Sequence, residues 1–224
     1  MILIPVKNLS SAKQRLASVL DQPSRTALAQ AMLHDVLTTL HTWKERPPVA
    51  VVTSDPYAVE LAADYRFEVI PDPDNPGETG AIEMATRICV ERGVESTLVI
   101  PADIPLMEAW ELQEILKHAP AAGTVLVPAA DGRGTNAAFR RPADLFALRF
   151  GNDSFRPHHA AAQATSKPCV VLKFAGIGVD VDNPEDLQRL VSLPGKTRAQ
   201  RLARRYVDGD VVALRVARHD VPSV

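Results

Sequence analysis

Short apolar runs alternate with segments of helical periodicity along the first half of this chain. The runs predict buried β-strands because they are continuous and bounded by turn residues. They lie at residues 2–6, 49–53, 67–70, 96–100 and 124–128. Between them we predict helices at residues 24–43, 56–64, 80–92 and 108–118. Strands that alternate with helices at this spacing predict a mostly parallel sheet covered on both sides, an α/β fold of three α/β/α layers.

The rhythm becomes irregular after residue 128. Residues 131–136 form a glycine-rich turn that lets backbone amides approach a ligand, and residues 149–159 place a Gly and a Ser at a helix start. Helix N-termini bind anions through free amides and the helix dipole. The alternative is a plain helix cap, with Asp153 or Ser154 as the capping residue.

Asp103 stands directly behind the predicted strand 96–100, between two prolines. Ligands of open α/β sheets collect at the carboxyl ends of such strands, so Asp103 is a candidate magnesium ligand. Two other interpretations remain, since Asp103 would also suit a turn, or a cap of the helix that begins near Glu108.

A second acidic motif lies near the other end of the chain. Residues 178–182 alternate as a strand does and end in Asp180 and Asp182, and Asn183 and Pro184 then open a helix over residues 185–192. Two carboxylates from distant strands suit magnesium, which leaves its other positions to water and phosphates. Alternatively, Asp182 caps the helix.

Three cations, Lys7, Lys13 and Arg15, follow the first predicted strand. The chain has neither the P-loop nor the dinucleotide-binding glycine motif, so phosphate binding would rest on side chains. Lysine offers a point charge to phosphate and arginine a bidentate fork. A solvated basic loop is the alternative.

Composition narrows the class of protein. The chain has 224 residues, 46% of them hydrophobic, and a net charge of -2, which argues against a nucleic-acid partner. It has no apolar stretch of about 18 residues and no signal-peptide pattern, so we expect no membrane partner. Cys89 and Cys169 lie in apolar surroundings, which is typical of buried thiols in a reducing cytoplasm.

The C-terminal part predicts a basic helix at residues 196–206 and a strand at residues 211–216. A solvated helix with a flexible tail is the favoured interpretation of this segment. We therefore expect one domain over residues 1–206 and a tail of unknown role over residues 207–224.

Five motifs, in this order and spacing, resemble those of the CofC family of guanylyltransferases. They are Pro5-Val6-Lys7 with residues 12–16, residues 101–106, Gly134-Thr135-Asn136, residues 150–155, and residues 180–187. The resemblance covers roughly residues 1–192. It implies the Rossmann-like nucleotidyltransferase fold and an enzyme of coenzyme F-420 biosynthesis that transfers GMP from GTP to a small phosphorylated acid.

The resemblance also implies roles for single residues. Asp103 and Asp182 would hold magnesium with Asp180 beside them, and Lys13 and Arg15 would bind the triphosphate of GTP. The acceptor's phosphate and carboxylate would be held by Thr135, Gly151 and Ser154. Lys7 is a further candidate for substrate binding.

One segment departs from the family pattern. Where the family has a Gly-Leu-Asn type of turn against the base or ribose, we align Gly80 to Ala85, with Glu83 in place of an amide. Gly80 and Glu83 are thus candidate substrate contacts, but the preference for guanine is implied by the family and not by these residues.

The resemblance leaves the acceptor open among three three-carbon acids: 2-phospho-L-lactate, phosphoenolpyruvate and 3-phosphoglycerate. A phosphate nucleophile is already ionised, so no general base is expected, and His158 and His159 are only candidate neighbours of the acceptor. The alternatives are a related enzyme acting on a sugar phosphate or molybdopterin, whose usual glycine-rich first loop is missing here, and a non-catalytic regulator. Family members often form dimers, so we expect a homodimer. We also expect hand-over of the product to the next enzyme of F-420 assembly.

Overall fold

A seven-stranded, mostly parallel sheet organises the protein. The computed structural model describes residues 1–73, 77–151 and 153–209. The strands are β1 (Ile2–Pro5), β2 (Val49–Val52), β3 (Glu68–Ile70), β4 (Thr97–Val99), β5 (Gly123–Pro128), β6 (Thr135–Arg141) and β7 (Cys169–Val171). Their order in the sheet is β3-β2-β1-β4-β6-β5-β7, and only β6 runs antiparallel to its neighbours.

Helices cover both faces of this sheet. They are α1 (Gln22–Thr42), α2 (Pro56–Asp64), α3 (Glu78–Glu91), α4 (Ala109–Lys117), α5 (Phe155–Ala164), α6 (Pro184–Ser192) and α7 (Arg198–Val207). Alternate residues of β1 belong to two hydrophobic clusters, Ile2 and Ile4 to one and Leu3 to the other. Apolar residues of α1, α2, α4, α6 and α7 complete the first cluster, and those of α3 and α5 complete the second. The predicted three-layer α/β/α fold is confirmed.

Two strands were not predicted. Both β6 and β7 lie beyond residue 128, where the sequence pattern is irregular, and β6 inserts between β4 and β5 in the antiparallel direction. The predicted strand at residues 211–216 lies outside the described residues. None of the helices among the described residues is long and apolar enough to cross a bilayer.

The prediction of a strand at residues 178–182 is wrong. Val179 and Val181 are buried, but their backbone belongs to an irregular loop between β7 and α6. Turn hydrogen bonds run from the amide of Gly178 to the carbonyl of Phe174 and from Val179 to Gly176. The alternating pattern thus reflects two apolar anchors of a loop.

The expectation of a solvated C-terminal helix is also wrong, because α7 packs against α1 and α6 with Ala199 and Ala203 buried. Asp35 of α1 accepts hydrogen bonds from the backbone amides of Arg198 and Ala199, at 2.9 and 2.8 Å. The buried amide of Gln200 donates to backbone carbonyls that follow α6. The helix is therefore part of the folded unit.

Glu111 fixes the loop that the sequence misassigned. Its carboxylate is 1% exposed and accepts from the amides of Gly176 at 2.7 Å and Ile177 at 3.1 Å, and also from Glu108 at 2.9 Å. A Cβ at Gly176 would lie 2.3 Å from the carbonyl oxygen of Leu106 and 2.5 Å from the Glu111 carboxylate, so the loop approaches α4 and the segment before it more closely than a side chain allows. This buried carboxylate sets the path of the chain toward Asp180.

We predict that Glu111→Ala lowers the free energy of unfolding by about 3 kcal/mol, because three backbone donors lose their acceptor. Glu114→Ala in the same helix is the matched control, since Glu114 makes surface contacts with Lys117 and His118 and its loss should cost at most about 1 kcal/mol. Urea denaturation measures both values. Equal losses in the two variants would contradict the role of Glu111.

Candidate active site

Lys13 joins two carboxylates that come from distant parts of the chain. Its ammonium donates to Oδ2 of Asp103 at 2.5 Å and to Oδ1 of Asp182 at 2.8 Å. Asp103 follows β4, and Asp182 precedes α6 at the end of the loop that Glu111 holds. The structure therefore brings together three residues that the sequence predicted to share one site.

The loop after β1 places Lys13. Thr53 donates its hydroxyl to the carbonyl of Val6 at 2.8 Å, and Asp55 accepts from the amide of Leu9 at 2.8 Å, so the end of β2 supports this loop. Lys13 itself adopts the left-handed conformation, with φ 56°, between two short 3-10 helices. That conformation is unfavourable for a non-glycine residue, and the two ion pairs compensate for it.

The charges of the three side chains depend on one another. Burial favours the neutral amine of Lys13, but the charges of Asp103 and Asp182 outweigh it and raise the pKa of Lys13 above its ordinary value. Lys13 in turn lowers the pKa of Asp182. Burial, followed by the charge of Asp103, raises the pKa of Asp180 to about 6. Three carboxyl groups, those of Asp103, Asp180 and Asp182, thus lie near the single ammonium of Lys13.

Neither metal candidate caps a helix. Glu108 and Glu111 form the capping box of α4, and Asn183 and Asp186 form that of α6. The capping interpretations of Asp103 and Asp182 are therefore wrong, and both carboxylates face Lys13 instead.

The donors around Lys13 fit a divalent cation. Oδ1 of Asp103 is buried and has no hydrogen-bond partner among the described residues. Asp180 lies nearby, where the side-chain amide of Asn136 donates to it at 3.1 Å. No group of three or more His, Cys, Asp or Glu residues in the described ranges is already arranged around one point as a metal cage. Two carboxylates with a third beside them match magnesium, which keeps several water and phosphate ligands.

Two cavities meet at this centre. One, of about 460 Å³, is lined by residues 5–9 and 11–15 and includes Lys7. The other, of about 520 Å³, is lined by residues from β6, the loop before α5, and Asp180. Both cavities share Arg15, Glu78, Pro101, Asp103 and Asp182. Two ligands, one in each cavity, would therefore meet beside the carboxylates of Asp103 and Asp182.

The second cavity contains the predicted acceptor residues. Thr135, Gly151 and Ser154 all line it. Ser154 occupies the N-cap position of α5, but its side chain makes no capping bond, and its Oγ accepts from the backbone amide of Thr135 at 3.1 Å. Asp153 pairs with Arg133 at the cavity rim, so neither residue is the plain side-chain cap of the alternative interpretation.

Gly80 and Glu83 are not brought together with the other predicted residues. They line a separate cavity of about 520 Å³ between α3 and the chain after β6, together with Arg87 and Arg140. The part of α3 that faces the shared centre is its N-terminus, where Gly77 adopts φ 104° and Glu78 follows.

Sequence reasoning missed Glu78 and Asn136. Burial, followed by the charge of Asp103, raises the pKa of Glu78 to about 7. Glu78 could have been noticed because it is an acidic residue in the first turn of α3. Asn136 could have been noticed because it directly follows the candidate residue Thr135 in the sequence. Neither signal indicates a contact with residues that are distant in sequence.

Comparison with known families is consistent with this geometry. The family described as guanylyl transferase CofC like matches residues 1–212 of the chain, which includes α7. The match therefore extends beyond the residues 1–192 of the recognised motifs.

Individual relatives span nearly the same length. A phosphoenolpyruvate guanylyltransferase of Sphaerobacter thermophilus is 33% identical over 84% of this chain and 90% of its own. A 3-phospho-D-glycerate guanylyltransferase of Colwellia psychrerythraea is 31% identical over 86% and 91%. A 2-phospho-L-lactate guanylyltransferase of Methanothermobacter thermautotrophicus is 30% identical over 91% and 89%.

Solved structures share the fold. A putative nucleotide-diphospho-sugar transferase from Desulfovibrio desulfuricans superimposes with a TM-score of 0.73 at 18% identity, over 96% of both chains. A cytidylyltransferase from Leptospira borgpetersenii gives a TM-score of 0.57 at 12% identity, over 100% of this chain and 98% of its own. Motifs, fold and family match agree, and the chain belongs to the CofC-like guanylyl transferases, a family of nucleotidyl-transferring enzymes.

Proposed function

We propose that this enzyme transfers GMP from GTP to a three-carbon phospho-acid of coenzyme F-420 biosynthesis. The observation that carries the proposal is the pairing of Lys13 with Asp103 and Asp182 at the junction of the two cavities. In this arrangement the smaller cavity, with Lys7, binds the nucleotide, and the cavity with Thr135 binds the acid.

The reaction is an in-line exchange at phosphorus. A phosphate oxygen of the acid attacks the α-phosphorus of GTP, and the bond from that phosphorus to the bridging oxygen breaks. Pyrophosphate leaves with the electron pair, and the product carries a diphosphate bridge. The attacking oxygen is already ionised near neutral pH, so the protein contributes mainly position and positive charge.

Asp103 and Asp182 would hold magnesium, with Asp180 as a neighbouring ligand. When bound, the metal neutralises phosphate charge and orients the α-phosphate. Lys13 would then release the carboxylates and turn with Arg15 to the triphosphate, where both cations offset charge that develops on the leaving pyrophosphate.

The acid would be held by donors on the far side of the junction. Thr135 and Ser154 offer hydroxyl groups there, and Gly151, at φ 134°, exposes backbone beside them. The three relatives described above are named for three different acids, so we propose the class of acceptor and leave its members to the assay.

Other expectations stay predictions. We expect Gly80 and Glu83 to contact the substrate at the base or ribose. We also expect the protein to form a homodimer, to hand its product to the next enzyme, and to be located in the cytoplasm. We also propose that residues 1–206 act as one domain, which the packing of α7 against α1 and α6 supports.

The direct test is pyrophosphate release by the purified protein with magnesium and GTP. We expect release with one of 2-phospho-L-lactate, phosphoenolpyruvate and 3-phosphoglycerate, each offered separately, and little with ATP or CTP. Silence with all three acids would contradict the proposal and favour a sugar phosphate as acceptor.

Lys13→Met should destabilise the metal-free protein by about 2 kcal/mol. That is below the cost of breaking a fully buried pair, because the Asp182 side chain is 42% exposed. Magnesium should then raise the unfolding temperature of the variant more than that of the wild type, since no ammonium competes for the carboxylates. The control is Lys117→Met, which removes a surface ion pair. The same magnesium response in wild type and Lys13→Met would refute the competition.

A further inference from the structure

His158 lies where three parts of the acceptor side meet. Its ring is 1% exposed, in the first turn of α5. Nδ1 lies 2.9 Å from the hydroxyl oxygen of Thr135 at the start of β6, and Nε2 lies 2.7 Å from the backbone nitrogen of Arg149. One side chain thus connects α5, β6 and the loop that contains Gly151.

The partners of His158 define its tautomer. The amide of Arg149 can only donate, so Nε2 must accept and carries no hydrogen. Burial, followed by the charge of Arg140, lowers the pKa of His158 to about 4, so the ring is neutral near pH 7. A neutral ring without hydrogen on Nε2 carries its hydrogen on Nδ1.

This tautomer orients the Thr135 hydroxyl. Because Nδ1 donates to its oxygen, the hydrogen of that hydroxyl must point to another acceptor. The same logic holds for Ser154, whose Oγ accepts from the amide of Thr135 and whose own hydrogen is left over. Both residues line the acceptor cavity, so two hydroxyl donors are available to one anionic ligand.

We propose that His158 is a positioning residue that turns the Thr135 hydroxyl into a donor toward the carboxylate or phosphate of the acceptor. The inference rests on the proposed function and adds a residue that acts through Thr135. The alternative is that His158 only supports the loop at Arg149, as a buried side chain does. The Phe150 ring of that loop also packs edge-on against the imidazole, with 5.2 Å between the ring centroids.

Two amide variants separate the two hydrogen bonds. In His158→Asn the side-chain amide nitrogen can take the place of Nδ1 and keep donating to Thr135, whereas the contact to Arg149 is lost. In His158→Gln the longer side chain can place an acceptor near Nε2, whereas the donor to Thr135 is lost. His158→Gln therefore tests the proposed role toward Thr135, and His158→Asn tests support of the loop at Arg149.

We expect His158→Gln to raise the KM for the phospho-acid about tenfold or more, as loss of a hydrogen bond to a charged group does. His158→Asn should raise it no more than about threefold, and neither variant should change the KM for GTP. Thr135→Val should match His158→Gln, and the double variant should be no worse than Thr135→Val alone, because both changes remove one interaction. Additive effects, or a larger effect of His158→Asn, would overturn the proposal.

A readout without turnover tests the tautomer itself. The ¹⁵N shifts of His158 in the ligand-free protein, assigned against the spectrum of His158→Asn, should show hydrogen on Nδ1 and none on Nε2. Hydrogen on Nε2 would overturn the inference whatever the substrate. Failure of wild-type pyrophosphate release with all three acids would instead contradict the proposed function and leave this spectrum to decide the role of the ring.

Discussion

The pairing of Lys13 with Asp103 and Asp182 is the interaction on which the rest of the site depends. It joins the loop after β1 and the end of β4, which lie side by side because β1 and β4 are parallel neighbours, to the approach to α6. The ammonium lies between two carboxylates that would otherwise repel each other, and the proposed metal ion would take this same position.

Buried polar side chains outside the reacting centre maintain this meeting point. Glu111 holds the loop between β7 and α6 that contains Asp180 and Asp182, and Asn136 of β6 ties Asp180 of that loop to the sheet. Beside the cavity that contains Thr135, His158 does the same for the Thr135 side chain. Each of these groups satisfies backbone or side-chain partners that would be costly to bury alone, and together they hold the backbone around the site in place.

Local sequence patterns predicted part of the sheet and part of the site. Continuous apolar runs predicted β1 to β5, and Asp103 lies after β4 as the sequence indicated, whereas its role as a metal ligand stays a prediction. They could not predict β6 and β7, whose pairing depends on long-range contacts, nor the loop at residues 178–182, where Val179 and Val181 alternate as in a strand while Glu111 dictates the backbone. Glu83 was chosen from its place in a motif and lines a separate cavity, whereas Glu78, in the first turn of the same helix, lines the two cavities at the shared centre.

We propose that Asp103 and Asp182 exchange Lys13 for a divalent cation when nucleotide binds. Crystals grown with GTP and Mn²⁺, without acceptor, test it directly through the anomalous signal of manganese. We expect a peak in contact with both carboxylates and the Lys13 side chain turned toward the triphosphate. Manganese bound elsewhere, with Lys13 still bridging Asp103 and Asp182, would contradict it.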